Sequence, residues 1–408
     1  MSWNPNATVT VGGSDYTSQA LIGASITYGR TNMYSQPRAG YARVSLAILN
    51  NSAVPISIGD EVVVAMEDSL GNPTTVFTGA VSDLSSTIES SNTFGVYLRC
   101  DLIAVSALAR LNRRLAGGDD YPEQADGDRI AAILEQIYST TWAEQPPTME
   151  WQDEAPTRTW SGFDPFVGII DTPGAYPLAA YTSGAANGYN LTTTAANSGL
   201  GVLYDTPDNR INYDDAFHRQ NNASENGFWQ IPLEAVIDRG LTRTTRLGDV
   251  ANVIRLNYAS GTVQVDNAQS VALYGPNAQV VDTVLADPTD ALEQANRYLG
   301  LVDTPSPLFD SISLAVHQPD LDPATIDTAL AVYNGQPVQV TGLPNGIGYA
   351  FTGFVEGWTW RIGKTTADLN LTVSDYGRSV VTTRWNGVGT TIWNTMDATL
   401  EWQEAIEV

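Results

Sequence analysis

The sequence predicts a mainly β fold with an α+β insertion, in which two similar β-domains flank the inserted region. The chain has 408 residues, which is too long for one ordinary hydrophobic core. Its 35 glycines, together with abundant Thr, Ser and Asn, are typical of strands joined by many turns. The tripeptide Phe-Thr-Gly occurs at 77–79 and again at 351–353, which raises the question whether a whole domain is repeated.

Both copies of Phe-Thr-Gly stand in similar surroundings. A valine follows two residues after each glycine, at Val81 and Val355, and an aspartate follows 22 residues after it, at Asp101 and Asp375. Apolar and polar residues alternate just before each aspartate, which is the pattern of a half-buried strand. We interpret each window as a strand ending in Phe-Thr-Gly, a turn-containing stretch and a returning strand.

Further matches precede the two tripeptides in the same order along the chain. They pair 26–28 with 256–258, 44–48 with 312–316, and 59–64 with 335–340. These ordered matches indicate a duplicated domain. Two unrelated β-domains with similar strands are the alternative, because such strings are common in β-rich sequences.

Two helices are expected outside the repeated strands. Asp128 suits an N-cap, and the apolar residues that follow keep the helical period, so a helix is predicted over 128–138. Asp287 and Pro288 begin a second helix, which is predicted over 287–299 and is expected to stop at Gly300. Weaker signals predict a short helix within 103–115, an exposed loop within 179–201 and a hairpin around 207–209.

These expectations divide the chain into four parts. They are a first β-domain over 1–101, an inserted α+β region over 102–245, a second β-domain over 246–376 and a Trp-rich arm over 377–408. The arm carries Trp385, Trp393 and Trp402 but has little turn chemistry of its own. We therefore expect it to pack on another domain or on another subunit.

Composition excludes several classes of function. The net charge is −25, and Lys364 is the only lysine among the 20 basic residues, which argues against nucleic-acid readout and against an anionic membrane surface. The single cysteine, Cys100, lies on the apolar side of a predicted strand and is expected to be a small buried hydrophobe. The N-terminus has no signal-peptide pattern, and no apolar run reaches the length of a membrane span.

Catalytic and metal-binding signals are weak. The two histidines, His218 and His317, fall in different predicted domains. His317 stands near Asp320 and Asp322, which could form a metal site, but a solvated loop is the favoured interpretation of such a turn. No metal, phosphate-binding or hydrolase motif is present in the sequence. The sequence therefore predicts no catalytic residue, no metal ligand and no cofactor, and hence a protein that is not an enzyme.

Carbohydrate binding or cleavage is the alternative from a different class. Glycosidases need two carboxylates across a cleft, and acidic residues stand beside tryptophans at 149–160. Adjacent acidic pairs also occur at 119–120 and 214–215. With 45 acidic residues in the chain, such pairs arise without selection, so a solvated acidic surface is the favoured interpretation.

Taken in order, the segments resemble the hub proteins at the tail tip of long-tailed, non-contractile bacteriophages, called minor tail proteins in phages of actinobacteria. These hubs are related to the baseplate hub of contractile phages. The resemblance rests on "ITYGRTNMYSQPRAGYARVSLAI", "IGDEVVV", "FTGAVSD", "DNRINYDDAFHRQ", "ALEQANRYLG", "GLPNGIGYAFTGFVEGWTWRIG" and "LTVSDY". These are structural patterns that span most of the chain.

The resemblance implies a homotrimer in which each subunit supplies two similar β-barrels of the hub and tail-tube type. Six barrels in a ring would join a sixfold tail tube to threefold parts below and act as a symmetry adaptor. The implied partners are tail tube and distal tail proteins, the tape measure protein and tail-tip fibre or receptor-binding proteins. DNA would pass through the lumen without specific binding. The implied location is the tail tip of the virion, after assembly in the host cytoplasm and without a direct membrane anchor.

Overall fold

The computed structural model describes most of the chain between residues 3 and 380. The described residues are 3–17, 21–31, 35–48, 56–91, 95–118, 120–138, 149–151, 157–160, 167–305, 308–318, 321–344 and 350–380. The expected Trp-rich arm, with Trp385, Trp393 and Trp402, lies outside them from residue 381 onward. Residues 152–156, in the middle of the Trp- and acid-rich segment, also lie outside them.

The first part of the chain contributes seven strands to one large sheet. They are β1 (Thr8–Val11), β2 (Ser14–Asp15), β3 (Leu21–Gly29), β4 (Arg38–Ile48), β5 (Glu61–Glu67), β6 (Pro73–Ser91) and β7 (Gly95–Val105). Their inward side chains alternate with outward ones, and the inward side chains form one continuous apolar core. Cys100 is fully buried in this core, which confirms its expected role as a small hydrophobe.

The middle of the chain forms an inserted α+β region. Its elements are α1 (Leu108–Leu111), β8 (Leu115–Ala116), β9 (Gln124–Ala125), α2 (Asp126–Tyr138), β10 (Met149–Trp151), β11 (Thr157–Trp160), β12 (Val167–Asp171), β13 (Pro177–Leu178), β14 (Ala186–Asn187), α3 (Gly188–Ser198), β15 (Val202–Asp205), β16 (Ile211–Asp214) and α4 (His218–Asn226). Five of these strands form a sheet in the order β10-β11-β12-β16-β15. The expected hairpin around 207–209 joins β15 to β16.

The last part returns to the large sheet but also adds a small sheet of its own. Its elements are β17 (Trp229–Pro232), β18 (Val236–Thr244), β19 (Val253–Tyr258), β20 (Gly261–Asp266), α5 (Ala268–Tyr274), β21 (Ala278–Asp282), α6 (Pro288–Val302), β22 (Leu308–Ala315), α7 (Pro323–Leu330), β23 (Pro337–Thr341), β24 (Ala350–Ile362), β25 (Ala367–Asp375) and α8 (Tyr376–Ser379). Short 3₁₀ turns at Leu233–Ala235 and Leu247–Asp249 flank β18.

The large sheet contains the same strand order twice. Along its length the order is β18-β22-β25-β24-β3-β4-β7-β6-β5-β1-β2, with β23 paired to β24 and β17 paired to β23. The first set of five is therefore β3-β4-β7-β6-β5, and the second is β18-β22-β25-β24-β23. The described pairings form an open path in which neither set closes into a barrel. The fold is thus mainly β, with several sheets.

The two sets also agree in register. Phe77 lies opposite Val64 on β5, and Phe351 lies opposite Val340 on β23. The glycine that begins each turn before these strands donates its N–H to a valine carbonyl, Gly59 to Val81 and Gly335 to Val355, both at 2.8 Å. A bulge then follows at the same place, after Val81 in β6 and after Val355 in β24.

Two of the sequence matches do not correspond in space. Segment 256–258 lies in β19, outside the large sheet, and β18 holds the place that β3 holds in the first set. Asp375 lies opposite Gly353, whereas Asp101 lies opposite Ser85, six positions beyond Gly79 along β6. The equal spacing of the two aspartates is fortuitous, because the β6–β7 hairpin is longer than the β24–β25 hairpin.

The expected boundary at residue 246 differs from the packing. β18 belongs to the large sheet, while β19, β20 and β21 form a separate three-stranded sheet that packs against α6. Ile254 and Leu256 of β19 belong to the same apolar cluster as Ile130 of α2. The core of the inserted region therefore draws on residues far beyond 245.

The helices differ in detail from their predicted limits. α2 begins at Asp126, so Asp128 lies in its first turn. α6 continues through Gly300 to Val302 because Leu301 and Val302 are buried against the core. α3 occupies 188–198, where an exposed loop was expected. Its N-cap Asn187 accepts a hydrogen bond from the Asn190 N–H, which stabilises the first turn. Among the described helices, none is long and apolar enough to cross a membrane.

Candidate functional site

Three distant parts of the chain meet at the side chain of Glu356. Glu356 is the extra residue of the bulge in β24, and its side chain is fully buried. Its Oε2 lies 2.5 Å from Nε of Arg30, which directly follows β3. Its Oε1 lies 2.5 Å from Nη1 of Arg219 in the first turn of α4, and Ser374 donates a further hydrogen bond. The carboxylate thus links both strand sets to the inserted region.

This carboxylate is held in its charged form. Burial would raise the pKa of Glu356, but the charges of Arg219 and Arg30 hold it well below its usual range. Burial also lowers the pKa of Arg30, whereas the pKa of Arg219 is raised because Glu356 and Asp214 together outweigh its burial. The two arginines differ because Arg219 faces a second carboxylate. Both remain protonated, since a guanidinium titrates far above neutral pH.

A second cluster, formed by Asp171, Asp214 and His218, lies beside Arg219. β12 and β16 are parallel neighbours, so their carboxyl ends place Asp171 and Asp214 at the same edge of the sheet. His218 at the start of α4 completes the cluster. Its Nδ1 lies 2.7 Å from Asp171 Oδ2, and its Nε2 lies 3.8 Å from Asp214 Oδ1. The N–H groups of Phe217 and His218 bind the carboxylate of Asp215, which fixes this first turn.

The cluster favours a protonated histidine. Burial would lower the pKa of His218, but the charge of Asp214 and the hydrogen bond to Asp171 raise it to about 9. Burial raises the pKa of Asp214 to about 7, against the opposing effect of His218. At neutral pH the imidazolium donates to Asp171 and faces Asp214. The contacts are those of a partly buried ion pair that joins β12, β16 and α4.

The same three residues are the group in the described part of the chain that could hold a metal ion. One ligand atom from each of Asp171, Asp214 and His218 lies within 4.8 Å of the others. Asp171 Oδ1 is buried and has no hydrogen-bond partner among the described residues. Carboxylate and imidazole ligands suit several divalent metals. However, Asp171 Oδ2 already accepts hydrogen bonds from His218 Nδ1 and from the Asp215 N–H, so the cluster is satisfied mainly by hydrogen bonding.

Asp205 makes a second buried link between the inserted region and the first strand set. Its carboxylate accepts hydrogen bonds from the Gly40 and Leu108 N–H groups, both at 3.2 Å, and from Ser106 Oγ. Burial raises its pKa to about 6 against the effect of these hydrogen bonds. Together with Glu356, this carboxylate fixes the inserted region to the large sheet.

The residues considered in the sequence as candidates for metal binding or catalysis lie in separate places in the structure. His317 lies beside Ala367 and 3.5 Å from Asp368 Oδ1, while Asp322 is the N-cap of α7 and Asp320 lies outside the described residues. The Asp214–Asp215 pair takes part in the cluster around His218. The Trp- and acid-rich segment 149–160 has only its strands β10 and β11 described, and Asp119 lies outside the described residues. The role of Glu356, Arg30 and Arg219 was not predicted.

Comparisons with known proteins show the fold. No family model matches the chain, and no curated protein matches it by sequence. The 43 kDa tail protein of prophage MuSo2 from Shewanella oneidensis is 11% identical, with a TM-score of 0.59 over 93% of this chain and 100% of that chain. The tail protein from Neisseria meningitidis MC58 is 12% identical, with a TM-score of 0.57 over 92% of this chain and 98% of that chain. The chain therefore shares its fold, over nearly its whole length, with these two tail proteins.

Proposed function

We propose that the protein is a structural component of a phage tail, and that it forms the hub at the distal end of the tail. The fold that it shares with two tail proteins, one of them from a prophage, supports this proposal. Its best-built charged sites, around Glu356 and Asp205, connect elements of the fold to one another and so serve its stability.

The repeated strand order carries the proposal of a symmetry adaptor. One chain contains two five-stranded sets of the same order, joined side by side through β3 and β24. Three such chains in a ring would present six similar units, each built as a β-barrel of which these five strands form part. A ring of that kind can meet a sixfold tail tube on one face and threefold components on the other.

The charge of the chain agrees with a channel through which DNA passes. A net charge of −25 gives a wall that repels the phosphate backbone, so DNA moves through the lumen without binding. The partners in this assembly are tail tube and distal tail proteins, the tape measure protein and tail-tip fibre or receptor-binding proteins. The protein acts in the virion, at the tail tip, and catalyses no reaction.

Mass measurement under native conditions tests the proposal. The purified chain should give a species of about three times 43.8 kDa at raised concentration, and electron microscopy should show rings with six lobes. Because assembly can require the tail tube, the same images are taken with a purified tube from the parent particle. A chain that stays monomeric in both experiments overturns the proposal.

A further inference from the structure

β6 of the first strand set corresponds to β24 of the second. One edge of β6 has no partner among the described strands after residue 82, although the equivalent edge of β24 is paired. β24 pairs with β23 through residues 350–354 and then, along the same edge, with β3 through residues 357–362. β6 pairs with β5 through residues 73–80. From residue 82 onward, the described strands pair only with its other edge, through β7.

Burial shows what the missing neighbour would cover. By their register, Trp358 and Ile362 correspond to Leu84 and Ile88, because each pair lies opposite equivalent residues of β25 and β7. Trp358 and Ile362 are buried, whereas Leu84 is half-buried and Ile88 is 77% exposed. An isoleucine on the core side of a strand is thus left in solvent at the place where β3 protects the second set.

β18 is the strand that would fill this place. In the second set it lies outside β22, as β3 lies outside β4 in the first set. β3 uses its outer edge to pair with β24, while the outer edge of β18 has no partner among the described strands. The described strands therefore include a donor edge on β18 and a receiving edge on β6, and such a complementary pair is the requirement for a head-to-tail ring.

We propose that β18 of one copy pairs antiparallel with residues 84–88 of β6 in a second copy of this chain, as β3 pairs with β24 within the chain. The inference rests on the proposed ring and names the contact that builds it. The internal register places Arg243 opposite Ser85. Arg243 lies opposite Phe309 on β22 as Thr27 lies opposite Tyr41 on β4, and Thr27 lies opposite Thr359, the counterpart of Ser85.

The charges on the two segments are complementary. Residues 236–246 carry three arginines and one aspartate, although the whole chain has a net charge of −25. Residues 81–91 carry Asp83 and Glu89 and no basic residue. Arg243 and Asp83 are both exposed, so they can approach one another across the new strand pair. Opposite charges favour such a pair, whereas two copies of the same edge would repel.

Disulfide trapping tests the register directly. Within the chain, Thr27 Oγ1 lies 3.1 Å from Thr359 Oγ1, so side chains at the equivalent positions 243 and 85 should touch across the interface. Chains with Ser85→Cys are mixed with chains with Arg243→Cys and oxidised mildly. We expect a covalent dimer in about tenfold higher yield than from the control mixture of Ser85→Cys with Thr262→Cys, because a disulfide needs its two Cα atoms within about 7 Å.

Each outcome decides the inference. Selective trapping of the 85/243 pair supports the strand pairing. A native trimer that forms without selective trapping overturns the pairing but leaves the proposed ring in place. A chain that remains monomeric both alone and with the purified tube, and gives no selective crosslink, overturns both. As an independent arm, Arg243→Asp should weaken assembly and a second change, Asp83→Arg, should restore it. Loss without restoration contradicts the proposed contact.

Discussion

Phe77 lays its ring against Gly79, two residues further along β6, and Phe351 does the same to Gly353 in β24. A Cβ at Gly79 would lie 2.7 Å from Phe77 Cζ, and one at Gly353 would lie 2.6 Å from Phe351 Cζ. Residues two apart share one face of a strand, so the glycine leaves room for the ring. A carbonyl oxygen of the paired strand also occupies this space. An added Cβ at Gly79 would lie 2.6 Å from the carbonyl oxygen of Val105, and one at Gly353 would lie 2.1 Å from that of Ser374. The repeated tripeptide is therefore a packing motif.

Gly79→Ala and Gly353→Ala should each destabilise the fold by about 1–3 kcal/mol, because an overpacked core must shift backbone or ring. The control is Gly118→Ala, where a Cβ would meet no atom within 4 Å. Urea unfolding followed by tryptophan fluorescence gives the free energies. If Gly79→Ala and Gly353→Ala lose no more unfolding free energy than Gly118→Ala, the packing role of the Phe-Thr-Gly motif is contradicted.

Local sequence patterns predicted the repeated strands because both strand sets place similar residues at equivalent positions. Segments 44–48 and 312–316, which were matched by sequence, do lie in equivalent registers, on β4 and on β22 with the residue that directly follows β22. The counterpart of β3 was missed because β18 has a different sequence and bulges. Loop and hairpin lengths differ between the two strand sets. The equal spacing of Asp101 and Asp375 therefore suggested an equivalence that the strand registers do not show.

The buried charges could not be predicted from spacing. Glu356 meets Arg30 across 326 positions and Arg219 across 137. One local signal was present, since Glu356 is a lone carboxylate between Val355 and Gly357 in an aromatic strand. A charge at such a position requires a partner. Which arginines supply it depends on the tertiary fold.

Glu356→Gln should cost about 3–5 kcal/mol of unfolding free energy, because it leaves two buried guanidinium groups without their shared charge. The matched control is Asp208→Asn, which removes one partner of the exposed pair between Asp208 and Arg210 at 3.1 Å. That change should cost less than about 1 kcal/mol. Urea unfolding measures both variants, and equal losses would show that the buried network contributes little.

The junction between the two strand sets depends on a close backbone approach. Gly29 has φ +83°, and a Cβ there would lie 2.4 Å from the carbonyl oxygen of Glu356. Gly13 has a similar φ of +77° but meets no atom within 4 Å. Both Gly→Ala changes incur about 1 kcal/mol of backbone strain. Gly29→Ala should lose clearly more stability than Gly13→Ala. The difference between the two losses measures the contact between β3 and β24. Similar thermal unfolding of the two variants would contradict this account.

His218 should make stability fall as pH rises. Its folded-state pKa of about 9 lies above the ordinary 6.5, so the protonated ring stabilises the fold. That contribution is fully present below about pH 6.5 and is lost as the pH rises through about 9. One pKa unit corresponds to about 1.4 kcal/mol, so the loss approaches about 3 kcal/mol. His218→Gln should abolish this slope, while His317→Gln, the matched control, should keep it. Urea unfolding at a series of pH values measures the slope, and an unchanged slope in His218→Gln would show that the ion pair with Asp171 and Asp214 does not stabilise the fold.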